Sequence, residues 1–248
     1  MTHSSIRTNY GFTLVEMAMV LIIVALLLGG LLPTVASQIE QQRNNETSKQ
    51  LAEIKEALIG YALINGRLPR PATSATDGTE RAASCTGPTA VNLCAGFIPW
   101  ATLGTPKLDS WGKIIRYSVT PNFANAPFTL SDTIATKTIQ TRDSGALTYL
   151  VGQGTCLLNN QCVPAVIFSH GKNNFGTGDS GNILADSSTT NADEGINNAG
   201  NNAGNIDNFF SRIHSNNTAA NGGEFDDLVV WVPLNTLMSR MVAAGRLP

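Results

Sequence analysis

The stretch that decides the fold is Gly11-Phe12-Thr13-Leu14-Val15-Glu16, which continues directly into the apolar run Met17–Leu32. Apart from Thr13 and Glu16, no side chain from residue 11 to residue 32 is polar. A helix needs about 20 apolar residues to cross the hydrocarbon core of a bilayer, and a single segment satisfies its own backbone there only as a helix. The run therefore predicts a transmembrane helix over residues 12–36.

Glu16 is the anomaly in this run. An acidic side chain inside a membrane-spanning helix costs about 2.5–3.5 kcal/mol on insertion scales, and it marks a functional site by default. A buried carboxylate is tolerated when a cation pairs with it. The alternative is an ordinary single-pass anchor in which Glu16 lies near the membrane edge, one turn into the helix.

This pattern resembles the N-terminus of type IV pilins and of type II secretion pseudopilins. The resemblance covers residues 7–65 and is most specific at Gly11–Glu16. It implies that prepilin peptidase cleaves between Gly11 and Phe12, and that the new amine on Phe12 is methylated. It also implies that Glu16 pairs with the N-terminal amine of a neighbouring subunit during assembly.

The resemblance further implies partners and a location. The expected partners are other pilin or pseudopilin subunits bound through the N-terminal helix, prepilin peptidase, the inner-membrane assembly platform, and membrane lipid before assembly. The expected location is the bacterial inner membrane, with one span and a periplasmic head, and then a pilus or pseudopilus in the periplasm or on the cell surface.

Beyond Pro33, which should kink the helix, the pattern becomes amphipathic. Apolar residues recur at helical spacing up to Asn65, and Gly66 supplies a stop. We therefore expect a leader at 1–11, a hydrophobic helix at 12–36, its amphipathic half at 37–66, and a β-rich head at 67–248. The fold class is α+β and pilin-like, with a long N-terminal helix packed on an antiparallel sheet.

Short runs of β-branched and aromatic residues predict the strands of the head. A segment rich in Asn, Gly, Ser and Thr, about 173–223, interrupts them, and its composition predicts an exposed or mobile insertion. Residues 233–245 predict a closing helix. The strand candidates are Ile114–Thr120, Phe128–Thr141, Ala146–Val151, Val163–Ser169 and Leu228–Val232.

All four cysteines lie after the apolar run, at Cys85, Cys94, Cys156 and Cys162. An even number in an exported domain indicates disulfides. Three connectivities are possible, and the local pairs Cys85–Cys94 and Cys156–Cys162 are favoured. Zinc is the competing interpretation, but there is no Cys-x-x-Cys spacing and no histidine near either pair.

Some head residues have the chemistry of metal ligands. Asp179, Asp186, Asp226 and Asp227 stand among Asn and Gly and offer oxygen ligands for calcium. Several secretion pseudopilins bind structural calcium in a loop before the final segment, although this chain has no 12-residue calcium-loop signature. We expect no obligatory cofactor, and structural calcium stays an open alternative.

Two motifs formally match enzyme sites. Gly178-Asp179-Ser180-Gly181 is similar to the nucleophile turn of chymotrypsin-like proteases, but no histidine stands in the context that such a site needs. The glycines at 176, 178 and 181 have dinucleotide-loop spacing without the required strand and helix. The net charge of −2 gives no polybasic footprint for nucleic acid.

The sequence thus predicts a structural subunit that is not an enzyme and that polymerises into a type IV pilus or a type II secretion pseudopilus. The alternative is a scarce minor pilin at the filament tip that acts in adhesion or ligand binding. An anchored exported enzyme is a third possibility.

Overall fold

The protein is described from a computed structural model, which covers residues 11–86, 94–130, 134–143, 145–157, 162–198 and 207–247, without the side chains at 28–34 and 143. The chain divides into two compact units, residues 1–43 and 44–248. Its helices are α1 (Leu14–Asn65), α2 (Trp100–Leu103), α3 (Pro121–Ala124), α4 (Ala192–Asn198) and α5 (Leu234–Ala243). Its strands are β1 (Ala95–Phe97), β2 (Arg116–Val119), β3 (Thr138–Asp143), β4 (Ala146–Val151), β5 (Ala165–Ser169), β6 (Asn208–Phe210) and β7 (Leu228–Val232).

The first unit consists of the N-terminal part of α1. Every described side chain from Leu14 to Leu27 is exposed. Among the described residues, no helix combines the length and the apolar character that a bilayer crossing requires. The transmembrane role of residues 12–36 stays a prediction. Helical geometry continues through Pro33, and the predicted kink there stays a prediction.

In the second unit, α1 buries one stripe of apolar side chains. The spacing of three and four residues places these side chains on one face of the helix. The buried residues of the stripe are Leu51, Ile54, Leu58, Ile59 and Ala62.

The main sheet has four strands in the order β1-β2-β5-β7, and every pair is antiparallel. This confirms the predicted antiparallel sheet. Tyr117, Ile167 and Val232 project from it into the core that contains the α1 stripe, and Leu237 and Met241 of α5 complete that core. The closing helix was therefore predicted correctly, within a residue or two at each end.

A second sheet has three strands in the order β4-β3-β6, and its β3–β6 pair is parallel. This mixed sheet was not predicted. Its residues Ile139 and Phe209 pack against Val166 and Phe168 on the other face of β5. Because β5 is covered on both faces, all five of its residues are buried, which explains the apolar run over its first four residues.

The segment 173–223 does not remain outside the fold. Its described part supplies α4 and β6, and the sequence prediction of an exposed insertion is wrong for these two elements. Polar side chains were assumed to stay in water, but here hydrogen bonds satisfy them inside the protein. Residues 179–190 are mostly exposed, in agreement with the prediction. The repeat Asn201–Gly204 lies outside the described residues. Apart from glycines, the buried members of the segment are Thr177, Asn191, Asp193, Glu194, Asn197, Phe209 and Phe210.

Candidate functional site

The N-terminal site begins with a helix cap. Gly11, Phe12 and Thr13 have no regular secondary structure, and α1 begins at Leu14. The hydroxyl of Thr13 accepts a hydrogen bond of 3.2 Å from the backbone N–H of Glu16. A threonine three residues before a glutamate is the capping-box spacing. The predicted cleavage bond, Gly11–Phe12, therefore lies in exposed, non-helical backbone.

The capped helix presents an apolar surface around one carboxylate. Phe12 is 75% exposed and Leu14 is 88% exposed. Glu16 is also exposed. An exposed apolar surface of this extent is suited to contact with another molecule.

Residues 6–32 match the family model described as the prokaryotic N-terminal methylation motif. This segment is the prepilin cleavage signature of type IV pilins and pseudopilins. Searches of curated proteins and of solved structures found no significant match to the chain. The match covers the signature and none of the head.

The prepilin signature coincides with the predicted processing and assembly residues. Gly11, Phe12 and Glu16 lie within it, next to the start of α1. Pro33 lies one residue beyond its end. The roles of these four residues stay predictions, because nothing in the geometry of a single chain tests cleavage or assembly.

Both disulfides belong to the head. Cys85 bonds to Cys94, and Cys156 bonds to Cys162. These are the local pairs that the sequence favoured. Cys85, Cys94 and Cys162 are fully buried in the main core, so the bridges fasten loops directly to that core.

A second candidate site is a cluster of buried acids in the head. Glu194 lies in α4, and Asp226 and Asp227 immediately precede β7. One carboxylate oxygen from each residue lies within 4.8 Å of the other two. Each of the three side chains is less than 10% exposed. Like charges at this separation in a protein interior repel each other strongly.

Hydrogen bonds already hold four of the six carboxylate oxygens. The backbone N–H of Asp226 and the amides of Asn174 and Asn191 donate to Glu194 at 2.8–3.2 Å. Oδ2 of Asp226 accepts from the backbone N–H groups of residues 172 and 173. Oδ2 of Asp227 accepts from the amide of Asn197 at 2.7 Å.

Lys113 brings one positive charge toward the cluster. Its ammonium donates to the backbone carbonyls of His170, Asn173 and Asn174 at 2.6–3.1 Å. Burial lowers the pKa of Lys113, and the carboxylates around it, with Asp226 first, oppose that shift. A single ammonium does not neutralise three carboxylates.

Burial and the carboxylate charge that Lys113 does not neutralise raise the carboxyl pKa values in the cluster. Burial raises the pKa of Asp226 from 3.8 to about 8, and the neighbouring charges of Glu194 and Asp227 add to the effect. Burial also raises the pKa of Glu194, with the charge of Asp227 adding to it. Without another cation, the cluster therefore keeps a proton at neutral pH.

The four aspartates proposed from the sequence as calcium ligands are not brought together. Asp179 is exposed and pairs with Lys107. Asp186 is exposed and reaches the cluster only through the amide of Asn191, which donates to it at 3.0 Å. Asp226 and Asp227 do meet, but their third partner is Glu194. No sequence pattern pointed to Glu194, because it lies in the segment whose composition predicted exposure.

The cluster does not fit calcium well. Calcium takes six to eight oxygen ligands, while four of the six carboxylate oxygens already accept hydrogen bonds. Among the described residues, no donor reaches Asp226 Oδ1. Asp227 Oδ1 lies 3.5 Å from His170 Nδ1. Of the two oxygens still available, Asp227 Oδ1 therefore faces a histidine rather than a further oxygen ligand.

Proposed function

We propose that the chain is a prepilin-type structural subunit, which prepilin peptidase processes between Gly11 and Phe12. The processed subunit then polymerises through α1 into a type IV pilus or a type II secretion pseudopilus. The observation that carries this proposal is the prepilin signature at residues 6–32, which coincides with the capped start of an exposed apolar helix.

The helix surface supports the assembly step. In a filament, the apolar side chains between Leu14 and Leu27 would be covered by the same helix in neighbouring subunits, and their burial would favour association. Cleavage creates a cation at Phe12, four residues from Glu16. A neighbour's Phe12 amine would neutralise this carboxylate in the apolar interior of the fibre.

The same proposal includes location and partners. Before assembly, the subunit would lie in the inner membrane through the apolar sequence of residues 17–32, with its head in the periplasm. The assembly platform would extract it from the membrane. The two disulfides of the head support an oxidising compartment. We infer that the subunit has no catalytic activity of its own.

Substitution of Glu16 tests the assembly role. We expect Glu16→Ala to be cleaved normally, because the scissile bond and the Thr13 cap remain, but to be lost from sheared filaments. Glu46→Ala is the matched control, because Glu46 is an exposed acid on the same helix. Mass spectrometry checks cleavage and methylation, and immunoblots of the filament fraction check assembly.

Two results would contradict the proposal. If Glu16→Ala entered filaments as efficiently as Glu46→Ala, Glu16 would have no pairing role in assembly. A native product that is intact between Gly11 and Phe12 would remove processing altogether. The copy number per filament would separate a main subunit from the minor tip subunit that the sequence left as an alternative.

A further inference from the structure

Arg116 is a buried arginine without a partner for its charge. It is the first residue of β2, and it is only 7% exposed. Its Nε atom is enclosed and has no hydrogen-bond acceptor in the described part of the chain. Arginine is almost never buried unless it is paired, because moving an unpaired charge out of water is costly. An unpaired guanidinium at this depth therefore requires an explanation.

Two other buried bases of the head show what Arg116 lacks. The ammonium of Lys113 donates to three backbone carbonyls, and Lys137 forms an ion pair with Asp207 at 2.7 Å. Burial lowers the pKa of Arg116 from 12.5 to about 10, and no charge of the described residues offsets this shift. The positive charge of Arg116 is thus left uncompensated within the described chain.

The strand order places Arg116 near an edge of the main sheet. In the strand register it lies opposite Phe97 of β1 and opposite Phe168 of β5, and β1 is the outermost strand on this side. The neighbouring Tyr117 belongs to the main core, so Arg116 is directed to the other face, because successive side chains of a strand alternate. The Cζ atom of the guanidinium lies 4.8 Å from the centre of the Phe97 ring, and this cation–π contact holds the charge in place.

We propose that Arg116 is the anchoring residue of a binding site for a single carboxylate group that comes from outside the chain. A carboxylate matches the fork geometry of a guanidinium and accepts two parallel hydrogen bonds from it. Its one negative charge balances the one positive charge, whereas a phosphate dianion would leave a negative charge uncompensated beside apolar rings. Because Nε is enclosed, the terminal Nη1 and Nη2 groups are the donors left for the incoming carboxylate.

The site is separate from α1, and the proposal does not depend on filament assembly. Two sources share the required chemistry, namely a small organic acid and an acidic side chain of a neighbouring subunit. Binding of acetate tests the site itself, and filament yield distinguishes the two sources.

The first test measures the melting temperature of the purified full-length chain as acetate replaces chloride at constant ionic strength. We expect a rise of about 3–6 °C when acetate reaches ten times its dissociation constant, since a ligand that binds only the folded state stabilises it. Arg116→Met should remove this response. Without acetate, this variant should melt no lower than the wild type, because an apolar side chain replaces an unpaired buried charge.

Arg240→Met is the matched control for this substitution. Arg240 is exposed and already pairs with Glu56, so its replacement should leave the acetate response intact. An acetate response that persists in Arg116→Met would overturn the proposal.

A measurement on the unsubstituted chain avoids dependence on the folding of a variant. In NMR spectra of the arginine Nε–H groups, the signal of Arg116 should shift as acetate is added, and the shift should saturate. An unshifted Arg116 signal would overturn the proposal. In sheared filaments, a lower yield of Arg116→Met than of Arg240→Met would assign the carboxylate to a neighbouring subunit, and equal yields would assign it to a small organic acid.

Discussion

The strongest test of the packing between α1 and the head is the substitution Glu80→Gln. The carboxylate of Glu80 accepts hydrogen bonds from the hydroxyl of Tyr61, from the guanidinium of Arg67 and from the backbone N–H of Arg70, all at 2.7–3.0 Å. Tyr61 lies in the last turns of α1, so this one side chain fastens the end of the helix to the loop that follows it.

The magnitude follows from the carboxyl pKa. Burial by itself raises the pKa of Glu80, but the hydrogen bonds from Arg67, Arg70 and Tyr61 outweigh it and bring the pKa from 4.5 to about 2. At about 1.4 kcal/mol per pKa unit, the difference gives an upper bound of about 3 kcal/mol. The side chain is 20% exposed, so solvent screening reduces the expected loss to about 2 kcal/mol.

The pH dependence has a definite sign. Because the folded-state pKa lies below the unfolded-state value, the contribution is fully present above pH 4.5 and is lost as the pH falls through about 2. Urea unfolding from pH 7 down to pH 2 measures it. The difference in free energy of unfolding between the wild type and Glu80→Gln should shrink over the lower part of this range.

Glu53→Gln is the matched control for this experiment. Its partner Lys49 lies 3.9 Å away, and the two side chains are 57% and 78% exposed. Such a pair contributes about 0.5 kcal/mol or less. If Glu80→Gln destabilised the protein no more than this control, or if its effect did not change between pH 5 and pH 2, the reasoning would be refuted.

Three further substitutions probe the core, a tight turn and a disulfide by urea unfolding. Leu58→Ala, at a fully buried position of α1, should lower the free energy of unfolding by about 3 kcal/mol, while Ile64→Ala at a 72% exposed position should change it by less than about 0.5 kcal/mol. Gly171→Ala should cost clearly more than Gly245→Ala. Both glycines have positive φ, which costs about 1–2 kcal/mol for alanine, but only at Gly171 would the new Cβ meet a backbone oxygen at 2.3 Å. Replacing the Cys85–Cys94 bridge by two alanines should cost about 2–3 kcal/mol in the chain-entropy model, and an unchanged midpoint in any of the three cases would contradict the corresponding assignment.

Hydrophobic periodicity made part of the fold predictable from the sequence. The stripe of α1 and strands β5 and β7 follow from it, because their burial depends on apolar side chains. Strand β1 was missed, since three residues with a central Gly96 carry no strand signal. The parallel pairing of β3 with β6 was missed because it joins segments about 70 residues apart, and local patterns do not specify such pairings.

The acid cluster could not be predicted from the sequence, for a different reason. Asp226 and Asp227 were singled out by residue type, but Glu194 and His170 join them only through tertiary structure. Scales that assign polar residues to solvent cannot identify a buried polar network, because its members are stabilised by one another. The N-terminal site could be predicted from the sequence alone, because its residues lie close together in the chain and form a known signature.

Strand β5 contributes side chains to both cores of the head. This arrangement affects how the head unfolds. Ala165 and Ile167 of β5 pack in the main core, and Val166 and Phe168 pack in the second core. Exposure of all of β5 to water therefore requires both cores to open. The amides of β5 should consequently be the last in the head to exchange their hydrogens for deuterium, at a rate set by opening of the whole head.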